Sequence, residues 1–431
     1  MDLFKNQTFV KLFFAALASQ MGTTIGNMAF AFYLLDHFSS KPFYAAIAEM
    51  MYSLPTLFVF FLAGAAADRF DRAKIAEHCD WIRALLSILL FLSLFSGFLP
   101  IVFCILFLRS AVTKFFFPAE NSLVQGVIKK EQYAQAAGLN QILFSVFMIF
   151  GVGLGAAVYH TLGIHGAVAI DFFSFILSAV LIRLCKIPMS ARLPNGIPEK
   201  AAFGIRAALT DFSSGIKYIQ SKKLLTSIMF GFFVFGFFNG AFAILPMYTM
   251  KYKFSSDSYE WYASLFAAAL GFGLIAGSAA GTIFQKKMKP HSMIIYPILA
   301  ASIFIFLLGR TSNIPAYLSI VFLIGTCLGP VNMAIGGWMP KIVHPSYMGR
   351  VSGWIDPLIM MGQSLTLGII ALLFPAIVEN TDYIYYGIGL FLLAVFFYFA
   401  AVLPKQSREA GKIDYTRPVS NTSAKSSAHT T

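Results

Sequence analysis

Arg109 follows an uninterrupted apolar run, Leu99 to Leu108, and Lys114 comes shortly after it. A charge held deep in such a segment costs about 2.5–3.5 kcal/mol on insertion scales unless it is paired or wetted. Each one therefore needs a partner or a task. Glu49 and Asp171 lie in similar apolar surroundings. Burial raises a carboxylate's proton affinity toward neutrality, so Glu49 reads as a proton carrier or as the counter-ion of Arg109, and Asp171 is a further candidate. Lys114 lies nearer the end of its segment, where its stem can snorkel toward water. Asp356, close after Arg350 and just before Pro357, reads as an ion-pair partner of that arginine. Residues of these types support proton-linked charge movement.

A second cluster, Gly64-Ala65-Ala66-Ala67-Asp68-Arg69-Phe70-Asp71-Arg72-Ala73-Lys74, separates two apolar segments. Small residues such as Gly64 let helices approach closely, and Arg69, Arg72 and Lys74 belong at a cytoplasmic surface. Asp68 is expected to accept hydrogen bonds from the start of a helix elsewhere in the chain and so to latch one conformation. Glu77, Asp80 and Arg83 follow at three-residue steps and are expected to pair with that cationic cluster or, in one conformation, with the facing half.

The elements that must position these residues follow from composition. With 58% hydrophobic residues, 47 Phe and 12% charged residues, the chain cannot hide its apolar surface in one water-soluble core. An all-α integral membrane protein is expected. Apolar runs of crossing length fall near 8–36, 43–66, 76–97, 99–119, 136–160, 164–184, 224–250, 258–284, 290–309, 313–338, 351–377 and 382–403, twelve in all. The first reads as a retained helix, since no small-residue cleavage site stands in the usual place. Cys79, Cys104, Cys185 and Cys327 have neither metal-ligand nor redox spacing and read as packing residues.

With the N-terminus inside, the even-numbered connections and the tails collect Lys5, Arg69, Arg72, Lys74, Lys129, Lys130, Lys186, Lys286, Lys287, Lys341 and Arg350 among others. The opposite face holds Lys41, Lys251, Lys253 and Arg310. That bias places both termini in the cytoplasm of a cell-membrane protein. It also accounts for the net charge of +13 through topology and anionic inner-leaflet lipid, so nucleic acid is not an expected partner. Residues 188–222 read as a cytoplasmic linker carrying one amphipathic helix, with Ala207, Leu209, Phe212, Ile216 and Ile219 at helical spacing along the inner membrane surface. This divides the chain into an N-terminal six-helix bundle (1–187), the linker, a C-terminal six-helix bundle (223–404) and a Ser/Thr/Lys-rich tail (405–431) expected to be disordered. The halves repeat. Gly64-Ala-Ala-Ala before a cationic loop recurs as Gly277-Ser-Ala-Ala at an offset of 213 residues, and Ile128–Gly138 matches Val343–Gly353 at 215. Gly281 stands where the first copy has Asp68.

Two sets of six helices, a central linker and the loop Gly64-x-x-x-Asp68-Arg69-x-x-Arg72-x-Lys74 resemble the major facilitator superfamily. Ser53-Leu54-Pro55, Arg109 ahead of Pro118-Ala119, and Gly349-Arg350-Val351 resemble its branch of bacterial exporters for macrolides, siderophores and lipophilic drugs. The resemblance implies alternating access, a gating role for the loop, and a part in proton coupling for Arg109. The chain departs from the pattern in three places. Asp71 replaces a usual glycine, the fifth span keeps Gly151, Gly153 and Gly155 without the usual proline, and Gly26-Asn27 stand where the branch commonly has a carboxylate.

Candidate cavity residues are Asn27, Gln141, Phe235, Asn239, Asn332 and Gln363, with Thr23 and further aromatics of the seventh span beside them. Bulky lipophilic ligands are held by area and stacking. No phosphate-cradling Gly-x-x-x-x-Gly-Lys-Ser/Thr loop is present, so ATP hydrolysis is not expected. No His/Cys/carboxylate cluster has metal spacing, and no nucleophile–base pair suggests an enzyme. The expected protein is a monomeric secondary transporter without cofactor, expelling a lipophilic or amphipathic small molecule in exchange for protons. An uptake symporter or facilitator of the same fold, and a membrane enzyme or lipid-handling protein, remain as alternatives.

Overall fold

Apolar segments crossing hydrocarbon must satisfy their backbone groups internally, which selects helix. The computed structural model describes residues 2–193, 205–254, 257–285, 287–344 and 347–410. Its first half holds α1 (Gln7–His37), α2 (Phe43–Ser53), α3 (Pro55–Arg69), α4 (Arg72–Ser96), α5 (Leu99–Val127), α6 (Tyr133–Arg183) and the short α7 (Met189–Arg192). After α8 (Ile205–Ser221) come α9 (Lys223–Tyr248), α10 (Tyr259–Phe284), α11 (Ser292–Arg310), α12 (Ile314–Ile342), α13 (Met348–Ser352), α14 (Ile355–Leu373) and α15 (Thr381–Ala410).

Eleven stretches among the described residues are long and apolar enough to cross a bilayer. One of them, within α6, breaks at Gly163, whose φ of 65° only glycine adopts readily. Its two arms are the expected fifth and sixth spans, which gives twelve crossings. The expected second span is likewise two helices, because Pro55 occupies the first position of α3, where its missing N–H costs nothing.

In the first half α1 packs along α6, and α4 along α5 and α6. In the second, α10 pairs with α12, α9 with α14, and α11 with α15. The halves meet where α6 touches α10 and α2 touches α14. Helices in lipid associate through close packing rather than hydrophobic expulsion, and glycine sets the closest approaches. A Cβ on Gly277 would strike the Thr326 carbonyl across the α10–α12 contact. Its repeat counterpart Gly64 meets nothing within 4 Å among the described residues, so the close approach expected at Gly64 is not formed with any of them in this conformation.

The linker helix α8 docks against the protein. Phe212 stacks on Trp354 (ring centroids 3.6 Å apart) and meets Phe60 at 4.8 Å, while Tyr218 stacks on Tyr347 at 4.3 Å. Linker residues 194–204 and tail residues 411–431 lie outside the described residues, and α15 continues through Lys405 to Ala410.

Candidate functional site

The buried charge of the first half converges between α4, α5 and α6. Arg109 on α5 pairs with Asp171 on α6, and Arg83 pairs with Asp80 within α4, all four side chains being almost wholly buried. Flat guanidinium groups suit such sites because they stack as well as bond. Arg83 lies over the rings of Phe116 (4.6 Å) and Phe175 (4.4 Å), and Arg109 over Phe175 (5.6 Å). The Ser87 hydroxyl donates to Asp171 Oδ2 at 3.3 Å, and Ser19 to Asp80 Oδ1 at 3.4 Å. Glycine on α1 lets α6 come close: a Cβ on Gly22 would strike the Ser174 side chain, one turn from Asp171, while one on Gly26 would meet the Asp171 carboxyl carbon at an ordinary contact distance of 3.4 Å. Asp171 of the sixth span thus stands beside Gly26 of the first.

Glu49 is buried and its Oε1 has no hydrogen-bond partner among the described residues. Its pairing with Arg109, one of two expectations, is not found among the described residues: α6 packs along α1 and α4, and Asp171 there is what the long Arg109 side chain reaches from α5. The charges of Glu49, Arg109 and Asp171 nevertheless all act on one group, the Tyr52 hydroxyl.

Of two cavities, the smaller adjoins these residues. The larger, about 380 Å³, is lined by Phe232, Phe235 and Phe238 of α9, Ile294 and Ile298 of α11, Leu328, Asn332 and Ile335 of α12, Ile359 of α14, and Gln141 of the opposite half. The smaller, about 160 Å³, lies in the first half and is lined by Thr23, Asn27, Tyr52, Leu106, Arg109, Ser110, Thr113, Lys114 and Phe175. Four of the six expected cavity residues, Asn27, Gln141, Phe235 and Asn332, therefore line one cavity or the other. Asn239 and Gln363 line neither. Asn239 is exposed, and the backbone of Gln363 packs where a Cβ on Gly240 would be. Lys114 is half-buried on a cavity wall, and Asp356 of α14 interacts electrostatically with it.

The loop after α3 is organised by Asp71, the residue that departs from the superfamily pattern. Its carboxylate caps α4, accepting from the N–H groups of Ala73 (3.0 Å) and Lys74 (3.3 Å), and receives the forked guanidinium of Arg192. Burial pushes the Asp71 pKa up, but Arg192 and the two N–H groups outweigh it and hold the carboxyl below its ordinary value. Arg72 donates to the Ala67 carbonyl at 2.8 Å. The backbone of Asp68 and Arg69 closes α3, and their side chains lie outside the described atoms. Among the described side chains Glu77 reaches Arg183 (3.8 Å), and Asp80 and Arg83 reach each other; the Arg69 side chain, one of the expected partners, lies outside the described atoms. A helix of this length carries Asp80 and Arg83 away from the loop and into the bundle.

At the far end of the helices the halves are tied together. Asp36 of α1 accepts from Lys251 Nζ (2.5 Å), the Tyr259 hydroxyl (2.7 Å) and the Tyr159 hydroxyl (3.0 Å). The hydroxyls of Tyr248 and Tyr252 donate to the carbonyls of Pro42 (2.5 Å) and Ser39 (2.8 Å). The sequence reading missed this cluster, which sits at helix ends and is recognisable only once distant termini meet. It also missed Glu120, a buried carboxylate on α5, whose depth depends on which face of that helix turns inward.

Comparison with known proteins adds to this geometry. The family described as Major Facilitator Superfamily matches residues 12–365. An uncharacterized MFS-type transporter, YkuC of Bacillus subtilis (strain 168), is 60% identical over 96% of each chain. Macrolide efflux protein A of Streptococcus pyogenes is 23% identical over 90% of this chain and 94% of its own. The multidrug efflux pump Tap of Mycolicibacterium fortuitum is 21% identical over 81% and 85%. Among solved structures, a mutant of the peptide transporter POT in complex with alafosfalin superposes with a TM-score of 0.72 at 14% identity, covering 93% of this chain and 94% of that one. At that identity the likeness is one of fold.

Proposed function

The chain belongs to the major facilitator superfamily of transporters, and from that premise we propose that it exports lipophilic or amphipathic small molecules by alternating access, in exchange for protons. The observation that carries the cargo class is the larger cavity: its walls come from the second half with Gln141 of the first at their edge, and they are mostly aromatic and aliphatic, which suits a ligand held by contact area. Relatives named for macrolide and multidrug efflux support the direction.

In this reading Asp171 and Glu49 exchange protons while Arg109 is released from, or returned to, its carboxylate partner. Such a pair is poised for the task because protonating Asp171 removes the charge that neutralises Arg109. Both termini are taken as cytoplasmic from the cation bias, so the Asp36 cluster closes the outer end and the conformation is inward-facing. The loop Gly64, Asp68, Arg69, Arg72 and Lys74 acts as the inner gate, Asp68 latching it when the outer end opens. A bundle division at 188–222 and a monomeric working unit complete the proposal.

Expression in an efflux-deficient host tests it against a panel of lipophilic antibiotics and siderophores, with and without a proton uncoupler. Reduced accumulation that the uncoupler restores is expected, and Arg109→Ala should remove it. Increased accumulation would favour uptake, and insensitivity to the uncoupler would refute proton exchange.

A further inference from the structure

Within the export reading, and resting on it, we propose that the cargo is an amphipathic acid, whose anionic head docks at Lys114 while its lipophilic body occupies the larger cavity. The smaller cavity is walled by two cations, Arg109 and Lys114, and by no carboxylate among its described lining residues. Arg109 is already neutralised by Asp171. Lys114 makes no hydrogen bond or ion pair among the described residues, and its charge is influenced from a distance by Asp356. The cavity is therefore net positive.

Its hydrogen-bonding inventory points the same way. Thr23, Ser110 and Thr113 have committed their hydroxyl protons to the carbonyls of Ser19 (2.8 Å), Tyr52 (2.6 Å) and Arg109 (2.8 Å). The donors left over are the Lys114 ammonium, the Asn27 amide, the Arg109 Nε–H and the Tyr52 hydroxyl, the last two buried without a partner among the described residues. A group that only accepts hydrogen bonds and carries negative charge suits all four, whereas an amine would add a like charge and more donors. A half-buried ammonium gains most from such a ligand, because its lost hydration is replaced by a charge-assisted bond.

Helix α14 relates the two cavities: Asp356 is near enough for its charge to act on Lys114, and Ile359, one turn further along the same helix, lines the larger cavity. A ligand with its head at Lys114 thus has its tail directed toward the aromatic wall. Asp356 acts as the resident competitor for Lys114, contributed by the opposite half.

The test uses the full chain purified in detergent and three probes of equal chain length: dansylaminoundecanoic acid, its methyl ester and the corresponding amine. Binding is followed by dansyl fluorescence and by the shift of thermal unfolding. The acid should bind and stabilise more than ester or amine. Lys114→Gln should weaken the acid about ten-fold, the effect of one lost charge-assisted bond, and leave the ester unchanged, while Lys114→Arg should retain acid preference. Asp356→Asn should leave acid binding equal or tighter. Equal or better binding of ester or amine, no binding of the acid, an unaffected Lys114→Gln variant, or an Asp356→Asn variant that loses acid binding would each overturn the proposal. If Lys114→Gln does not fold, the three-probe comparison on the wild type and Lys114→Arg decides. Acid-selective binding without energised transport would sink the export reading alone. Export of lipophilic cargo without charge preference would sink this one alone.

Discussion

The two halves share a helical plan yet bury different things. Every buried charged side chain among the described residues, Glu49, Asp80, Arg83, Arg109, Glu120 and Asp171, belongs to the first half. The second half buries hydroxyls, with Thr249, Tyr385 and Tyr317 linked at 2.9 and 2.7 Å, and it packs α10 on α12 through glycine against backbone. Charge inside a membrane protein marks sites that must change state, because it is costly and easily tipped by a proton. Close neutral packing marks a surface meant to stay put. Under the proposed function, one copy of the repeat carries the switch and the other the apolar wall against which cargo rests.

The largest test breaks the switch. Asp171→Asn strands the Arg109 guanidinium in a buried site and should cost about 3–5 kcal/mol of stability, read as a lowered unfolding midpoint in detergent. Replacing both partners together, Arg109→Leu with Asp171→Leu, should cost less than the single change. Equal losses would mean that the ion pair is not the reason for the fragility.

Next comes the wall. Gly277→Ala must force α10 away from the Thr326 carbonyl and should destabilise by about 1–3 kcal/mol, whereas Gly64→Ala should stay within about 0.5 kcal/mol. If the pair behaved alike, the asymmetry between the repeats would be an accident of one conformation. Tyr385→Phe removes a hydroxyl bonded to both Thr249 and Tyr317, and a loss of roughly 0.5–1.5 kcal/mol is expected. A larger loss would put the hydroxyl network on a par with the charges.

The smallest effect concerns the loop. Asp71→Asn keeps a capping residue on α4 but loses the ion pair with Arg192, so under about 1 kcal/mol is expected. Because the folded carboxyl titrates below its ordinary value, its contribution is complete above about pH 4 and fades as pH falls through the folded-state value. Wild type and variant should therefore converge in strong acid. A difference that persisted there would assign the effect to shape rather than charge.

Much of the fold was legible because crossing a bilayer is a one-dimensional requirement: length and apolarity of a segment suffice, and helix is forced. Gly163 and Pro55 refine the boundaries without changing the number of crossings. The site was legible in part. Arg109, Glu49 and Asp171 stood out since each is anomalous against its own segment. The Arg109–Asp171 pairing was not, since it depends on how α6 seats against α1 and α4, within reach of Arg109 on α5. Asp71 drew notice only as a departure from a pattern, and its work as cap and ion-pair partner needs Arg192, 121 residues away, brought beside it.

From the sequence alone came the class of protein, the crossings, the cation bias and the shortlist of intramembrane charges, because each is a property of a residue and its neighbours along the chain. The tertiary structure alone decided which charges are neutralised, that Lys114 is left facing a cavity, that Asn27, Gln141, Phe235 and Asn332 line cavities while Asn239 and Gln363 do not, and that Asp36 ties the halves at one end. Those are matters of which helix faces meet, and helices that are apolar on every side do not announce in their periodicity which face turns inward.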